Sequence, residues 1–232
     1  MRPHALHAVI AVKSLDQAKS RLADRLRPEH RARLVLAMLA DTVSAAVAVP
    51  RIASVTVVTP DPVVAELART LGAVVHPEPR REVIDATDPD GLNTALTDAA
   101  NALRHRHGPI ELLALQADLP ALRPDELSDM LTTAPAVVRS VVVDHTGSGT
   151  AALLVRDTAV PLDPRFGPES ARRHIAAGAI DLLGDWPGLR LDVDTADDLD
   201  RAIELGAGNS TGTVLHDIGW PIRGHERVRR VC

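Results

Sequence analysis

The sequence predicts an α/β protein with a mixed, mostly parallel sheet and helices on both faces. Apolar runs of strand length alternate with segments whose apolar residues recur at helical spacing. Repeated βα units of this kind favour a parallel sheet. One later pair of runs, 138–144 and Thr150–Val155, is joined by the short link HTGSG, which predicts an antiparallel hairpin added to that sheet.

Local patterns define the individual elements. The predicted strands span 8–12, 55–59, 73–76, 112–115, the two hairpin runs and 189–193. The predicted helices span 28–49, 62–71, 92–104, a stretch that begins at Pro124, a short piece within 163–177, and 196–205.

Helix boundaries follow from capping chemistry. Pro28 favours the start of the first long helix and Pro50 stops it. Gly72 ends the second helix, and Thr195 with Asp198 resembles a capping box at the start of the last one. The first helix carries one apolar stripe, formed by Val35, Leu39, Val43 and Val47.

Composition excludes several classes of function. The 232 residues carry a net charge of −5 and include no Tyr, one Phe and two Trp, which argues against a nucleic-acid binder. No apolar run approaches the ~20 residues of a membrane span. The only cysteine is Cys232, so neither an internal disulfide nor a cysteine metal site is expected. We expect a cytoplasmic protein without nucleic-acid or membrane partners.

The pattern along the chain predicts one domain over 1–206. The remainder, 207–232, is rich in glycine and then basic, with weak periodicity, and we expect a flexible tail. The sequence leaves the oligomeric state open.

Acidic residues follow two predicted strands, and in open α/β sheets ligands lie beyond the carboxyl ends of strands. Asp118 comes directly after the strand 112–115, and Asp192 and Asp194 lie at the end of the run 189–193. If these ends are neighbours, three carboxylates converge, and oxygen ligands suit Mg²⁺ holding substrate phosphates. The alternative is that Asp118 caps a turn and Asp194 caps the next helix.

Three cations follow the first strand. Lys13, Lys19 and Arg21 lie within nine residues and could bind a triphosphate. The loop has neither a P-loop nor a dinucleotide-binding fingerprint, so a solvated basic loop is the alternative.

Two further segments have the chemistry of a phosphate site. Thr150 follows Gly147-Ser148-Gly149, where small residues let the backbone approach a ligand. Gly167 and Ser170 precede a short helix with free N–H groups. Ordinary turn chemistry explains both segments equally well. The sequence has no HExxH zinc motif and no GxSxG nucleophile motif.

Six segments in order resemble one known family. They are VIAVKSLDQAKSRL, GLNTAL, LQADLPAL, GSGTAALL, DPRFGPES and LRLDVDTADDL. They are similar to the guanylyltransferases of deazaflavin coenzyme biosynthesis, which act on 2-phospho-L-lactate or, in actinobacterial relatives, on phosphoenolpyruvate. The resemblance covers about residues 8–206. The tail 209–232 matches nothing in the family, and the segment between Thr150 and Gly167 is slightly longer.

The resemblance implies a nucleotidyltransferase fold of the glycosyltransferase-A type. It implies that GTP is joined to the phosphate of a three-carbon acid and that pyrophosphate is released. The family's metal-binding acids fall on Asp118 and Asp192, with Asp194 close by. Its phosphoenolpyruvate-binding positions fall on Thr150, Gly167 and Ser170. The family further implies that Lys13, Lys19 and Arg21 meet the GTP phosphates and that Asn93 lies near the nucleotide.

Other functions remain open on sequence alone. A cytidylyltransferase or a molybdopterin guanylyltransferase would share the architecture. A catalytically inactive nucleotide-binding module would bind without releasing pyrophosphate, and a structural α/β protein would bind no ligand with Mg²⁺. The acceptor is also open between phosphoenolpyruvate, 2-phospho-L-lactate and 3-phosphoglycerate. The composition is rich in Ala, Arg and Val, as is typical of actinobacterial sequences. Because the actinobacterial relatives act on phosphoenolpyruvate, this association favours phosphoenolpyruvate as the acceptor.

Overall fold

A computed structural model describes residues 4–13, 15, 19–79, 91–136 and 139–221. Within these ranges the strands are β1 (Leu6–Ala11), β2 (Ile52–Thr59), β3 (Val74–Pro77), β4 (Glu111–Leu115), β5 (Arg139–Val143), β6 (Thr150–Val155) and β7 (Ile180–Asp181). The helices are α1 (Pro28–Val47), α2 (Pro62–Thr70), α3 (Leu92–His107), α4 (Pro124–Thr133), α5 (Ser170–Ala176), α6 (Pro187–Arg190), α7 (Ala196–Leu205) and α8 (Asn209–Asp217).

The strands form one mixed sheet in the order β3-β2-β1-β4-β6-β5-β7 across the described residues. The pairs β1–β2, β2–β3, β1–β4 and β5–β7 are parallel, whereas β6 runs antiparallel to both β4 and β5. The mostly parallel sheet and the late hairpin predicted from the sequence are therefore confirmed.

Helices cover both faces of the sheet, as predicted. Alternate residues of β1 point to opposite sides: Ile10 packs in the core with α1, α2 and α4, and Val9 packs in the core with α3. On α1, Leu39 and Val43 are fully buried, whereas Val47 at the end of the predicted stripe is 45% exposed.

The predicted strand 189–193 is wrong. Pro187 begins the short helix α6 instead, and the chain then runs irregularly to Asp194. Leu189, Leu191 and Val193 are all buried, so the alternating apolar pattern reflects packing against the core rather than pairing in the sheet. The two-residue strand β7, which pairs with β5, was not predicted because it is too short to give a pattern.

The expectation of a flexible tail is wrong for the part that forms α8. The Asp41 carboxylate on α1 accepts hydrogen bonds from the backbone N–H groups of Ser210 (3.0 Å) and Thr211 (2.8 Å). A Cβ atom on Gly208 would lie 2.3 Å from Cγ of Asp41, so this close approach requires glycine. Leu215 is buried in a core with α1 and α7. The basic positions from Arg223 onward lie outside the described residues.

None of the helices in the described ranges is long and apolar enough to cross a bilayer.

Candidate active site

The turn that carries Asp118 is held by the neighbouring strand β6 and by helix α1. The N–H of Gln116 donates to the carbonyl of Ala151 on β6 (3.0 Å). The N–H of Leu119 donates to the buried hydroxyl of Thr42 on α1 (3.1 Å). Asp118 is thereby fixed at the carboxyl end of β4, next to the end of β1.

A single backbone contact brings the second acidic segment to this turn. The N–H of Val193 donates to the carbonyl of Asp118 (3.1 Å), so Asp192 and Asp194 flank the point of contact. The predicted convergence of the two acidic segments is present, although no sheet pairing produces it.

Lys19 lies between two of the acids. Its Nζ contacts the carboxylate of Asp118 and lies 2.9 Å from Oδ1 of Asp194. Burial by itself would lower the pKa of Lys19, but the negative charges of Asp118 and Asp194 outweigh it and raise the pKa above the usual value. The ammonium is therefore a permanent cation at the centre of the site. Nη1 of the exposed Arg21 lies 3.5 Å from Oδ2 of Asp194.

Asp192 has the least favourable electrostatic environment. Burial, followed by the charges of Asp118, Asp144 and Asp194, raises the pKa of its carboxyl to about 7. Nδ1 of His145 lies 3.3 Å from Oδ1 of Asp192, and Nε2 of the same ring lies 2.9 Å from Oδ1 of Asp198. The site therefore holds more negative charge than its own cations neutralise.

The donor set fits a hard divalent cation in part. Oδ1 of Asp118 and Oδ1 of Asp192 are buried and accept no hydrogen bond within the described part of the chain. Carboxylate oxygens are the ligands that Mg²⁺ prefers. In these same ranges, however, no three acidic, histidine or cysteine side chains are placed as a ready metal site. Lys19 occupies the space between Asp118 and Asp194.

Lys13 lies apart from this cluster. Its Nζ pairs with Oε1 of Glu78, just beyond β3, at 3.2 Å. Lys19 and Arg21 therefore lie at the acids, whereas Lys13 contacts Glu78, which lies toward β3.

The three predicted acceptor-binding residues form a second group. Thr150 begins β6, and its hydroxyl lies 3.0 Å from Nδ1 of His174. Ser170 begins α5, and its N–H donates to the carbonyl of Gly167 (3.1 Å). Gly167 has a φ of +113°, which favours glycine. Thr150 and Ser170 are 1% and 2% exposed, so any ligand that they bind is deeply enclosed.

The Gly147-Ser148-Gly149 loop connects the two groups. The N–H of Ala171 on α5 donates to the carbonyl of Ser148 (3.1 Å). A Cβ atom on Gly149 would lie 2.2 Å from Oδ2 of Asp144, the acid whose charge acts on Asp192. The acidic cluster and the Thr150 group are therefore neighbouring parts of one site.

Asn93 holds the loop before α5. Its Oδ1 accepts from the N–H of Phe166 (2.7 Å), and its Nδ2 donates to the carbonyl of the same residue (3.1 Å). Nη2 of Arg173 also donates to that carbonyl (3.0 Å). Both polar atoms of the Asn93 side chain thus bind the loop in this structure. The contact with the nucleotide expected for Asn93 stays a prediction.

Three residues of this site were not predicted from the sequence: Asp144, His145 and His174. His145 and His174 are held by contacts with residues distant in the chain, which a single sequence does not reveal. The hydrogen bonds of Asp144 are local, but only the fold brings its charge close to Asp192. One local pattern could have pointed to His174, because it lies four residues after Ser170 and therefore on the same face of α5.

The fold is that of the nucleotide-diphospho-sugar transferases. A solved structure described as such a transferase from Desulfovibrio desulfuricans superposes with a TM-score of 0.66 at 15% identity, covering 93% of this chain and 96% of the other. Sequence defines the group more narrowly. Residues 6–231 match the family described as "Guanylyl transferase CofC like", and the chain belongs to that family. The match extends through most of the tail 209–232, so the expectation that this tail matches nothing in the family is wrong.

Two curated relatives carry the same name. A phosphoenolpyruvate guanylyltransferase from Nocardia farcinica is 69% identical over the full length of both chains. Another from Rhodococcus opacus is 50% identical, over 90% of this chain and 89% of the other.

Proposed function

We propose that this protein transfers the guanylyl group of GTP to phosphoenolpyruvate in deazaflavin coenzyme biosynthesis. The names of its relatives support this substrate pair. The observation that carries the proposal is the meeting of Asp118, Asp192 and Asp194 in one cluster, with Lys19 between Asp118 and Asp194. With a divalent cation bound to the acids, such a site would neutralise and align polyphosphates, and it needs no enzyme nucleophile. We further propose that the reaction takes place in the cytoplasm.

The reaction is an in-line displacement at the α-phosphorus of GTP. A phosphate oxygen of phosphoenolpyruvate forms a bond to that phosphorus, the bond to the β-phosphate bridging oxygen breaks, and pyrophosphate leaves with both electrons. The reactants bring several negative charges together near neutral pH, so charge neutralisation is the main requirement.

The chain's own cations meet part of that requirement. Lys19 is buried and permanently charged, and Arg21 lies beside Asp194 with its guanidinium exposed toward solvent. We assign both to the triphosphate and the departing pyrophosphate. Lys13 reaches the nucleotide in this proposal only if its contact with Glu78 is released.

Asp118 and Asp192, with Asp194 beside them, would hold Mg²⁺. Two of their buried oxygens accept no hydrogen bond from the residues that the structure describes, and this supports the assignment together with the raised pKa of Asp192. When bound by these acids, the ion would supply positive charge that offsets the charge of the phosphate oxygens. Thr150, Ser170 and the backbone of Gly167 would orient the phosphorylated acid.

A pyrophosphate-release assay tests the proposal. GTP is offered with phosphoenolpyruvate, 2-phospho-L-lactate or 3-phosphoglycerate in separate reactions, and ATP and CTP replace GTP in the controls. We expect release with GTP and phosphoenolpyruvate above every other combination. A preference for 2-phospho-L-lactate would keep the reaction and change the acceptor, whereas nucleotide binding without release from any pair would contradict the proposal.

A further inference from the structure

His174 is a buried side chain for which the reaction described above has no use. It lies on α5, is 2% exposed, and packs against the edge of the Phe166 ring with centroids 5.4 Å apart. Its two ring nitrogens contact two separate segments, the start of β6 at Thr150 and the backbone of Arg165.

The contact with Arg165 fixes the tautomer of the ring. The backbone N–H of Arg165 donates to Nε2 of His174 (2.9 Å), so Nε2 carries no proton and the proton of the neutral ring is on Nδ1. Burial lowers the pKa of His174 to about 4, and the charges of Arg173 and Arg165 act in the same direction, against the backbone of Ser170 and the charge of Asp163. The imidazole is therefore neutral near pH 7.

This tautomer determines what the Thr150 hydroxyl can do. Nδ1–H of His174 donates to Oγ1 of Thr150 (3.0 Å), so the hydroxyl acts as the acceptor in that contact. Its own proton has no acceptor among the contacts of the described residues, although Thr150 is 1% exposed. Buried hydroxyl donors in proteins are normally paired. The hydroxyl of Thr150 is thus a buried donor with no acceptor among the described residues.

We propose that His174 is a positioning residue that turns the Thr150 hydroxyl into a dedicated donor for an anionic oxygen of the phosphorylated acceptor. The inference rests on the proposed function, which places the acceptor at Thr150. It adds that the same imidazole ties the start of β6 to the segment leading to Gly167, because its other nitrogen binds the backbone of Arg165. One side chain thereby sets the distance between the two walls of the acceptor site.

Two substitutions at position 174 separate the two contacts. The amide of His174→Asn ends at the level of Nδ1 and can still donate to Thr150. The longer His174→Gln places its amide at the level of Nε2, where it can accept from Arg165 but cannot reach Thr150. At the other partner, Thr150→Val removes the hydroxyl and Thr150→Ser keeps it.

The measurement is the KM for phosphoenolpyruvate compared with the KM for GTP in the full-length enzyme with Mg²⁺. We expect His174→Gln and Thr150→Val each to raise the KM for phosphoenolpyruvate about tenfold or more, as for a lost hydrogen bond to a charged group. His174→Asn and Thr150→Ser should raise it less than their counterparts, and the KM for GTP should change less than about twofold in all four. The double variant of His174→Gln and Thr150→Val should be no weaker than the worse single variant, since both remove the same contact.

The imidazole can also be observed directly. Nitrogen-15 NMR of the unliganded protein should show His174 neutral and protonated at Nδ1 between pH 5.5 and 8. An Nε2–H tautomer would overturn the inference whatever the kinetics give.

The outcomes separate the inference from the proposed function. If the wild-type enzyme releases no pyrophosphate from GTP and phosphoenolpyruvate, the proposed function fails. If the wild-type enzyme is active but Thr150→Val leaves the KM for phosphoenolpyruvate unchanged, or if the double variant shows additive losses, only the role of His174 fails. The Thr150 pair is measured with His174 intact, so the test does not depend on the folding of His174→Gln.

Discussion

At the scale of single residues, the main feature of the site is its charge balance. Lys19 contacts both Asp118 and Asp194, and Arg21 lies beside Asp194. The pKa of Asp192 is raised because burial and three neighbouring acids oppose its ionisation. A polyphosphate entering without further positive charge would meet strong repulsion. The acids are therefore expected to matter for turnover more than for folding.

Asp118→Asn tests that expectation. The amide keeps the shape of the side chain and removes its charge, so we expect turnover to fall about a hundredfold or more, which is typical for loss of a preorganised electrostatic group. The rate of pyrophosphate release measures the effect, and the melting temperature reports the fold. Asp217→Asn, which changes an exposed acid paired with Arg33, is the matched control and should stay near the wild-type rate. A wild-type-like rate in Asp118→Asn would rule out this role.

Ser170→Ala tests the acceptor side. Ser170 belongs to the Thr150 group and not to the acidic cluster, so its loss should affect the acceptor selectively. We expect the KM for phosphoenolpyruvate to rise several-fold and more than the KM for GTP. Equal effects on both constants would place Ser170 elsewhere in the mechanism.

At the scale of elements, α8 depends on a cap from another helix. Asp41 accepts two of the N–H groups that the first turn of α8 leaves unpaired, and the negative charge suits that end of the helix dipole. We expect Asp41→Ala to lower the free energy of unfolding by about 1–2 kcal/mol. Urea titration measures it. Asp217→Ala, at the exposed end of α8, should change it by less than about 0.5 kcal/mol. Equal losses of unfolding free energy in the two variants would show that the hydrogen bonds of Asp41 to α8 do not stabilise the protein.

Elements with their own periodicity were predictable, and elements fixed by distant contacts were not. The limits of β6 and the capping box of Thr195 and Asp198 follow from local chemistry and are confirmed. The strand predicted for 189–193 is wrong because Leu189, Leu191 and Val193 alternate along the chain as in a strand but are buried without pairing in the sheet. α8 was missed because its stability comes from Asp41, which lies 169 residues before Ser210.

At the scale of the whole molecule, burial of His174 links stability to pH. Its pKa is 6.5 in the unfolded reference and about 4 when folded, so between these values the unfolded state binds more protons. The contribution of His174 to stability therefore falls as pH drops through that window, by about 2 kcal/mol between pH 7 and pH 5. The raised pKa of Asp192 acts in the opposite direction across the same interval with comparable size, so the two contributions largely cancel in the wild-type protein.

A comparison with His174→Gln isolates this contribution. Urea unfolding is measured at intervals from pH 7 to pH 5 for both proteins, and the contribution of Asp192 cancels in the difference. Between pH 7 and pH 5, the free energy of unfolding of the wild type should decrease relative to that of the variant by about 2 kcal/mol. Parallel curves would show that His174 is not held neutral by the fold.

The part of the candidate site that could be predicted from the sequence is the acidic residues near the ends of predicted strands. Asp118 stands out because an acid directly after a buried strand needs a partner, and the structure places Lys19 there. The sequence did not reveal that Lys13 pairs with Glu78 or that His145 lies beside Asp192, because each contact joins residues far apart in the chain, with several helices and strands between them.

The hydrogen bond from Val193 to Asp118 has a consequence for how the protein is made. It joins residues 75 positions apart, so the acids cannot meet until synthesis has passed position 194 and that segment has left the ribosome. A nascent chain that includes β1 to β6 already contains six of the seven strands of the described sheet but still lacks the second acidic segment of the active site. Catalytic competence thus arrives as a late step of biosynthesis, after most of the architecture is in place.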